Sequence, residues 1–211
     1  MYLCRMNRRI KTYGGYFQAF AKTLHKEVLR KIDYLLQLLK SEERLSSRFV
    51  KLIRDGLFEL RISVKGNIYR LFFIFDEGDI VILLNGFQKK TQKTPRKEID
   101  KALMIKECTM QTNNHKIEDY DTILDSRYGA EGTDSRKAFE EEARAFYASQ
   151  ILLEARKEVG LTQAELAERV GTSKSYISKL ETGAVEPSVG LFYRIISALG
   201  LRVEIVKPLG A

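Results

Sequence analysis

Cysteine is scarce in this sequence. Cys4 and Cys108 are the two cysteines among 211 residues, and neither belongs to a CxxC or Cys/His pattern. Two isolated cysteines provide neither a disulfide framework nor a set of zinc ligands. The composition therefore favours an intracellular protein, and we expect it to use no metal and no cofactor.

Long apolar runs are also missing. The longest, at residues 71–75 and 80–84, are far shorter than the roughly 20 residues that a membrane-spanning helix needs. The first residues are basic, but the apolar stretch of a signal peptide does not follow them. We therefore expect a soluble, cytoplasmic protein with no membrane partner.

The formal net charge of +8 is distributed unevenly along the chain. Residues 1–109 contain 23 lysines and arginines against 12 aspartates and glutamates, whereas residues 110–211 contain 13 against 16. A basic segment joined to a mildly acidic one is typical of a module that binds a polyanion and lies beside a partner of opposite charge. An excess charge without functional meaning is the alternative.

The hydrophobic pattern of the first half predicts helices packed on an antiparallel sheet. Apolar residues recur at helical spacing over residues 17–40, which predicts one long amphipathic helix, and a short helix or turn is expected near residues 46–53. Three β-type runs with short turns between them follow, at residues 57–64, 68–75 and 80–87. A bare three-stranded sheet buries too little surface, so the helices must cover one of its faces. Another helix is expected at residues 96–106.

Residues 110–136 are polar and acidic, with few apolar side chains. They are predicted to be a linker, or a segment that becomes ordered by contact with a partner. Helical periodicity returns from Lys137. The expected organisation is therefore a first domain at residues 1–109, a connecting segment at residues 110–136 and a second domain at residues 137–211.

The second half contains the pattern of two short helices joined by a tight turn. Residues 161–183 read LTQAELAERVGTSKSYISKLETG. Thr162 suits the N-cap of the first helix, Gly171 suits the left-handed position after it, and the second helix starts at Ser173. Polar side chains at the exposed start of such a helix are what DNA base edges and phosphates require. A further helix is expected at residues 189–199, with a short strand at residues 201–206.

This half resembles the XRE family of Cro and phage-repressor helix-turn-helix proteins, through LTQAELA, GTSKSYIS, KLETG and SVGLFYRIISALGL. The resemblance implies that Gln163 anchors a phosphate. It also implies a set of residues that face the DNA groove: Ser173, Lys174, Ser175 and Lys179, with Tyr176 towards its edge. Operator DNA and a homodimer formed through this domain are the implied partners. The alternative is an ordinary helical hairpin with solvated serines and lysines.

Basic residues on the three β-type runs indicate an anion site in the first half. Glu59 and Arg61 share one face of their strand, and Arg70 stands among apolar neighbours, where an unpaired guanidinium would be costly. Lys89 and Lys90 end the third run, where antiparallel pairing can bring them near the two arginines. Arginine would hold a phosphate through two hydrogen bonds and lysine would act as a point charge. A lysine-rich edge that only prevents aggregation is the alternative.

Helices followed by strands with ELR, YR and GFQKKTQKTP resemble the RelE/HigB toxins, in particular their phage Gp49-like branch, over residues 11–107. The resemblance implies a domain of helices packed on an antiparallel sheet that cleaves mRNA on the ribosome. Such toxins are often encoded next to an XRE-type antitoxin, so the two resemblances support each other. The expected fold is therefore α+β, with a RelE-like domain followed by an all-α helix-turn-helix domain.

Cleavage of RNA by its own 2′-hydroxyl needs a base, positive charge near the phosphate and an acid for the departing 5′-oxygen. Arg61 and Arg70 are expected to stabilise the charge. Lys89 and Lys90 are expected to bind phosphate, one of them serving as the acid. Glu59 is either the base or a salt-bridge partner that positions Arg61. Neither of the two histidines of the chain belongs to this cluster.

The sequence thus predicts a type II toxin–antitoxin pair in one chain. Its partners would be mRNA on the ribosome, operator DNA, and the toxin part itself, which the antitoxin part would bind in cis or in trans. Charge complementarity predicts that residues 118–125 and 140–142 lie near the basic face of the toxin or its helices. The alternatives are a transcriptional regulator with a non-catalytic basic N-terminal domain, and a general nucleic-acid binder without catalysis.

Overall fold

The computed structural model describes residues 8–41, 45, 47, 49–76, 79–91, 93–111 and 116–203. The chain divides into two compact units: unit 1 comprises Met1–Arg136 and unit 2 comprises Lys137–Ala211. The described residues form an open sheet with helices in unit 1 and helices alone in unit 2. This arrangement confirms the predicted α+β class.

Unit 1 is built on a sheet of six strands in the described residues. In chain order they are β1 (Arg9–Tyr13), β2 (Val50–Arg54), β3 (Leu57–Val64), β4 (Asn67–Asp76), β5 (Ile80–Lys89) and β6 (Ile117–Asp119). Their spatial order is β2-β3-β4-β5-β1-β6. The three predicted β-type runs are confirmed as the antiparallel strands β3, β4 and β5. The sheet is not purely antiparallel, however, because β1 pairs with β5 in parallel.

A tight turn fixes the register of β3 and β4. Lys65 and Gly66, between β3 and β4, have φ values of 48° and 80°. Two successive positive φ values are typical of the hairpin turns that match the twist of the sheet. The resulting register places Arg61 directly opposite Arg70. The turn therefore determines that Arg61 and Arg70 lie opposite each other.

The single helix predicted over residues 17–40 is wrong, because the chain forms α1 (Tyr16–Ala21) and α2 (Lys26–Ser41) instead. The break follows Phe20, whose carbonyl accepts hydrogen bonds from both the hydroxyl and the backbone N–H of Thr23. These short-range bonds tighten the chain and compete with continuation of the helix. The periodic apolar residues on both sides of the break are still buried, so the pattern was correct but its continuity was not.

The helix or turn predicted near residues 46–53 is also wrong for residues 50–53, which belong to a strand. Ser46 and Arg48 lie outside the described residues, and Val50–Arg54 forms β2. This strand pairs with β3, with Val50 opposite Leu60. A short apolar run is ambiguous between helix and strand, and here the pairing with a neighbouring strand decides.

Helices pack on this sheet. α1 packs against β5 and α2 against β3. The predicted helix after Pro95 is confirmed and extends further, as α3 (Arg96–Gln111), which packs against β5. Ala102 and Ile105 of α3 share a core with apolar side chains of four strands: Tyr13, Leu57, Phe72, Ile74, Ile82 and Leu84.

Residues 110–136 do not form a free linker in their described part. β6 pairs with β1, and α4 (Tyr120–Tyr128) follows it. Tyr120 and Leu124 are buried, and the boundary between the units comes after Arg136. A segment ordered by contact is therefore the better description of residues 116–136.

Unit 2 is helical in its described part. It contains most of α5 (Asp134–Glu158), followed by α6 (Gln163–Val170), α7 (Lys174–Glu181) and α8 (Val189–Ala198). The predicted N-cap at Thr162 is confirmed as part of a capping box with Glu165, and Gly171 has the predicted left-handed conformation. The strand predicted at residues 201–206 is not present at residues 201–203, and residues 204–206 lie outside the described residues.

Candidate nucleic-acid interfaces

A buried carboxylate organises the basic residues of unit 1. Glu59, on β3, is only 2% exposed. Its Oε1 accepts a hydrogen bond from Nε of Arg61 (3.3 Å) and lies 3.1 Å from Nε of Arg70. Its Oε2 accepts a hydrogen bond from the hydroxyl of Thr94 at 2.7 Å. A buried charge needs such partners, and Glu59, Arg61 and Arg70 are called the Glu59 cluster below.

The two arginines of the Glu59 cluster differ in exposure. Arg70 is buried, and its Nη1 donates to the carbonyl of Tyr69 at 2.8 Å. Burial lowers the pKa of Arg70 below its ordinary value; the charge of Glu59 opposes this effect and the charge of Arg61 adds to it. The side chain of Arg61 is 34% exposed, so its guanidinium is the part of the cluster that an incoming anion reaches first.

The two lysines lie at different distances from this cluster. Phe87 on β5 is directly opposite Arg70, and Lys89, two residues further on, is opposite Ile68. Because directly paired residues share a face of the sheet, Lys89 projects from the same face as Arg70, at a diagonal spacing of about 7–8 Å. Lys90 is exposed and follows the end of β5. The described structure thus joins three of the five predicted residues in one contact network and places Lys89 beside it.

Two polar residues near the cluster did not emerge from the sequence. Thr94 lies in the loop before α3, where no periodic pattern marks it. Asn85 is only 2% exposed within β5; its Nδ2 donates to Glu98 Oε2 at 3.1 Å, and its Oδ1 has no hydrogen-bond partner among the described residues. A polar side chain inside an apolar run is the same signal that marked Arg70, and it would have identified Asn85 too.

A polar cleft of about 610 Å³ adjoins the cluster between α1 and β5. Its lining includes aromatic, amide and cationic side chains: Tyr16, His25, Tyr69, Asn85, Phe87 and Lys101. Gly86 allows the ring of Phe20 to pack closely against β5, because a Cβ at position 86 would lie 2.2 Å from that ring. Aromatic faces and amide groups are the groups with which proteins bind unstacked nucleobases. The cleft therefore has the chemistry to hold one nucleotide beside the arginines.

In unit 2, the residues predicted to face DNA lie on α7 and at its N-cap. Ser173, Lys174, Ser175 and Lys179 are exposed. Ser173 also caps the helix, since its Oγ accepts the N–H of Tyr176 at 3.1 Å. The hydroxyl of Tyr176 donates to the carbonyl of Glu186 at 3.1 Å, which fixes this ring against the following loop. The helix thus presents two lysines and its free N–H groups on an exposed surface, as DNA phosphates require.

Gln163 has a partner inside unit 2. Its Nε2 donates to Oε2 of Glu181 at 2.9 Å, and Arg156 binds the same carboxylate through Nε (2.5 Å) and Nη2 (2.9 Å). Hydrogen bonds to Glu181 raise the pKa of Arg156 above its ordinary value. The role of Gln163 as a phosphate anchor stays a prediction. The sequence did not identify Arg156, because nothing in its spacing distinguishes it from a solvated arginine.

Comparisons with known proteins find a family match in each part of the chain. Residues 17–107 match the family described as Phage derived protein Gp49-like (DUF891), and residues 152–206 match a helix-turn-helix family. Over 50 residues, the chain is 54% identical to an uncharacterized HTH-type transcriptional regulator of Methanothermobacter thermautotrophicus, covering 24% of this chain and 72% of that protein. The chain belongs to the HTH-type transcriptional regulators. It carries a Gp49-like domain of the RelE toxin superfamily ahead of the helix-turn-helix, which confirms both resemblances.

Two other proteins are also similar to this HTH-type regulator. An uncharacterized HTH-type transcriptional regulator, y4dJ, of Sinorhizobium fredii is 46% identical over 54 residues, or 25% of this chain and 70% of that protein. The restriction-modification controller protein C.AhdI from Aeromonas hydrophila is 30% identical and matches 29% of this chain and 88% of its own, with a TM-score of 0.28. No described helix of this regulator is long and apolar enough to cross a membrane.

Proposed function

We propose that this regulator is a type II toxin–antitoxin pair in one polypeptide. Its Gp49-like part is a ribosome-dependent mRNA endonuclease, and its helix-turn-helix part neutralises that activity and represses its own operon. The observation that carries the proposal is the Glu59 cluster, in which a buried carboxylate holds two arginines within a toxin-family domain. The helix-turn-helix in the same chain matches the class of partner that such a toxin requires.

The cluster provides what cleavage of a phosphodiester needs. In the proposed reaction the 2′-hydroxyl attacks the adjacent phosphorus, a 2′-O–P bond forms, and the bond from phosphorus to the 5′-oxygen breaks, which leaves a 2′,3′-cyclic phosphate. Arg61 and Arg70 stabilise the negative charge that builds up on the phosphoryl oxygens. One of the lysines, Lys89 or Lys90, gives a proton to the departing 5′-oxygen.

The geometry of Glu59 favours a positioning role over that of the base. Oε1 is engaged by Arg61 and Arg70, and Oε2 by Thr94. A carboxylate that holds two guanidinium groups fixes their orientation towards a phosphate, and this pre-organisation is a large part of catalysis by fixed charges. In this assignment the 2′-hydroxyl loses its proton to a group outside the Glu59 cluster.

The adjoining cleft provides a place for one base of the substrate. Phe87 joins the cleft to the cluster because it lies opposite Arg70 and also lines the cleft. A base stacked on an aromatic ring here would place its own phosphate near the two arginines.

For the DNA-binding part, the proposed unit is a dimer. α8 exposes two apolar side chains one turn apart, Val189 at 72% and Tyr193 at 51%. Apolar side chains at this spacing on an exposed helix suit a contact with a second copy. A dimer also supplies the two recognition helices that a palindromic operator needs. These features support autorepression through operator binding.

Expression of residues 1–109 in bacterial cells tests the enzymatic part. We expect growth arrest and cleavage of translated mRNA, with Arg70→Ala reducing the cleavage rate by roughly 100-fold or more, because one fixed donor to the transition state is lost. Arg96→Ala, which removes an arginine whose side chain is 89% exposed on α3, is the matched control and should leave arrest intact. Normal growth and intact mRNA with the unsubstituted domain would instead support a non-catalytic basic domain.

A further inference from the structure

Residues 116–128, here called the docking segment, lie between the two stretches that match known families, residues 17–107 and 152–206. They contain β6 and α4 and belong to unit 1. We propose that the docking segment is the part of the antitoxin that binds the toxin, and that it does so in a groove formed by β1, α1 and α2. This inference rests on the proposed toxin–antitoxin function and names the contact that holds the pair together.

The backbone of the docking segment extends the sheet. β6 runs antiparallel to β1, with Ile117 opposite Tyr13 and Asp119 opposite Lys11. The N–H of Gly14 donates to the carbonyl of Lys116 at 2.9 Å. The other side of β1 is already paired with β5, so β6 covers the edge that would otherwise expose unpaired backbone groups. Addition of a strand to an open edge is a common way for proteins to bind an extended peptide.

One aromatic side chain anchors the helix that follows. Tyr120 is only 1% exposed, and its ring packs edge-on against Phe17 of α1, with 5.7 Å between ring centroids. Its hydroxyl donates to the carboxylate of Asp33, inside α2. Leu124, one turn later, is also buried. A buried tyrosine with a satisfied hydroxyl is the kind of residue that dominates the binding energy of an interface.

Polar contacts surround this anchor. Nε2 of Gln18 donates to Oε2 of Glu118 at 2.8 Å, and Nζ of Lys40 lies 3.2 Å from Oδ1 of Asp121. These acidic residues belong to the stretch for which the sequence predicted contact with the toxin helices, and Gln18 and Lys40 lie on α1 and α2. Weak polar contacts around a buried apolar centre are typical of protein interfaces.

In the docking segment, β6 lies away from the strands that carry Arg61 and Arg70. In the sheet, β5 and β1 separate β6 from β4, and β4, β5 and β1 separate it from β3. At a strand spacing of about 4.8 Å, β6 is roughly 14 Å from the strand of Arg70 and roughly 19 Å from that of Arg61. The segment therefore acts as an anchor that retains the antitoxin rather than as a plug in the site.

The test uses the full chain, with residues 112–115 replaced by the recognition sequence of a site-specific protease and cut after purification. We expect the two fragments to elute together in size-exclusion chromatography at micromolar concentration. In the same cut chain, Tyr120→Ala with Leu124→Ala should weaken fragment association by at least about 100-fold, because the buried centre of the interface is lost. Thr122→Ala with Ser126→Ala, on the exposed side of α4, should have no effect.

A charge exchange provides a second test that does not disturb the core. Lys40→Glu should weaken association several-fold, since it places like charges together at an exposed contact, and Asp121→Lys in the same chain should restore it. Separation of the unsubstituted fragments, or equal association of the Tyr120/Leu124 variant and its control, would overturn the docking proposal. Fragment association is measured without RNA, so loss of the proposed endonuclease activity would leave this result unchanged.

Discussion

Asp33 and Glu59 are buried carboxylates with different surroundings. Glu59 meets two guanidinium groups and a hydroxyl. Asp33, only 3% exposed, receives the hydroxyl of Tyr120, and its Oδ2 has no hydrogen-bond partner among the described residues. Burial raises the pKa of Asp33 to about 6, although the hydrogen bond from Tyr120 and the charge of Arg127 lower it. The stability of the fold should therefore depend on the protonation of Asp33.

The raised pKa of Asp33 predicts a loss of stability with rising pH. Folded Asp33 holds its proton up to about pH 6, whereas an unfolded aspartate loses it near pH 3.8. The free energy of unfolding should fall by up to about 3 kcal/mol as pH rises through this window and stay lower above it. Three other charged or titratable groups share the environment of Asp33 and Tyr120: Arg30, Arg127 and Tyr128.

Asp33→Asn tests this prediction because asparagine accepts the tyrosine hydroxyl without titrating. In urea unfolding of the full chain at pH 4 and pH 7, the substituted protein should gain up to about 3 kcal/mol relative to the original at the higher pH. Asp79→Asn, at an exposed aspartate, is the control. A gain for the original protein on going from pH 4 to pH 7, relative to Asp33→Asn, would contradict the assignment.

At the scale of secondary-structure elements, the sequence was most informative where one pattern continued without interruption. β3, β4 and β5 were predictable because their apolar runs are bounded by turn residues. β1 and β6 could not be predicted, because strands of five and three residues carry little periodicity. Both strands depend on pairing with distant parts of the chain. The break between α1 and α2 depends on the local bonds of Thr23, which periodicity does not register.

The candidate site was predictable to a similar extent. Alternation along β3 placed Glu59 and Arg61 on one face, and the costly position of Arg70 indicated a partner, which is Glu59. Thr94 was not predictable, because its contact with Glu59 depends on how a loop folds back over the sheet. In unit 2 the cap at Thr162 was predicted from the sequence, whereas the cap at Ser173 and the ion pair of α5 with α7 were not.

The ion pair between Arg156 and Glu181 is expected to hold α5 and α7 together. Glu181 of α7 is 4% exposed and binds Arg156 of α5 with both oxygens. Glu181→Ala leaves a buried guanidinium without its partner, so it should lower the free energy of unfolding by about 3–5 kcal/mol. Urea unfolding of the full chain checks this. Glu168→Ala, exposed on α6, should change stability by less than about 0.5 kcal/mol, and equal effects of the two substitutions would contradict the role of the ion pair.

At the scale of the whole molecule, the two parts of the chain differ in net charge and in the family that each matches. The basic excess falls in residues 1–109, which contain the Gp49-like match, while the helix-turn-helix lies in the mildly acidic remainder. DNA binding by the second part must therefore depend on a local group of cations. Lys174 and Lys179 on α7 are that group in our proposal.

Substitution of these two lysines should weaken operator binding and its dependence on salt. If each lysine contacts one phosphate in each protomer, Lys174→Ala with Lys179→Ala should reduce the slope of log affinity against log salt by about 1 per lost contact. Binding of the full chain to DNA from upstream of its own gene, measured between 50 and 200 mM salt, checks this. Lys157→Ala, on α5, is the control; an unchanged slope for the double variant would remove both lysines from the interface.

The central claim, that one part of the chain is an mRNA endonuclease and the other part restrains it, is tested most directly by mapping RNA 5′ ends in cells. Residues 1–109 are expressed alone or together with residues 110–211 from a second plasmid. We predict new 5′ ends within translated regions of mRNA when residues 1–109 are expressed alone, and their disappearance when residues 110–211 are present. No new ends in either case, or ends that persist at the same level when both parts are present, would contradict the account.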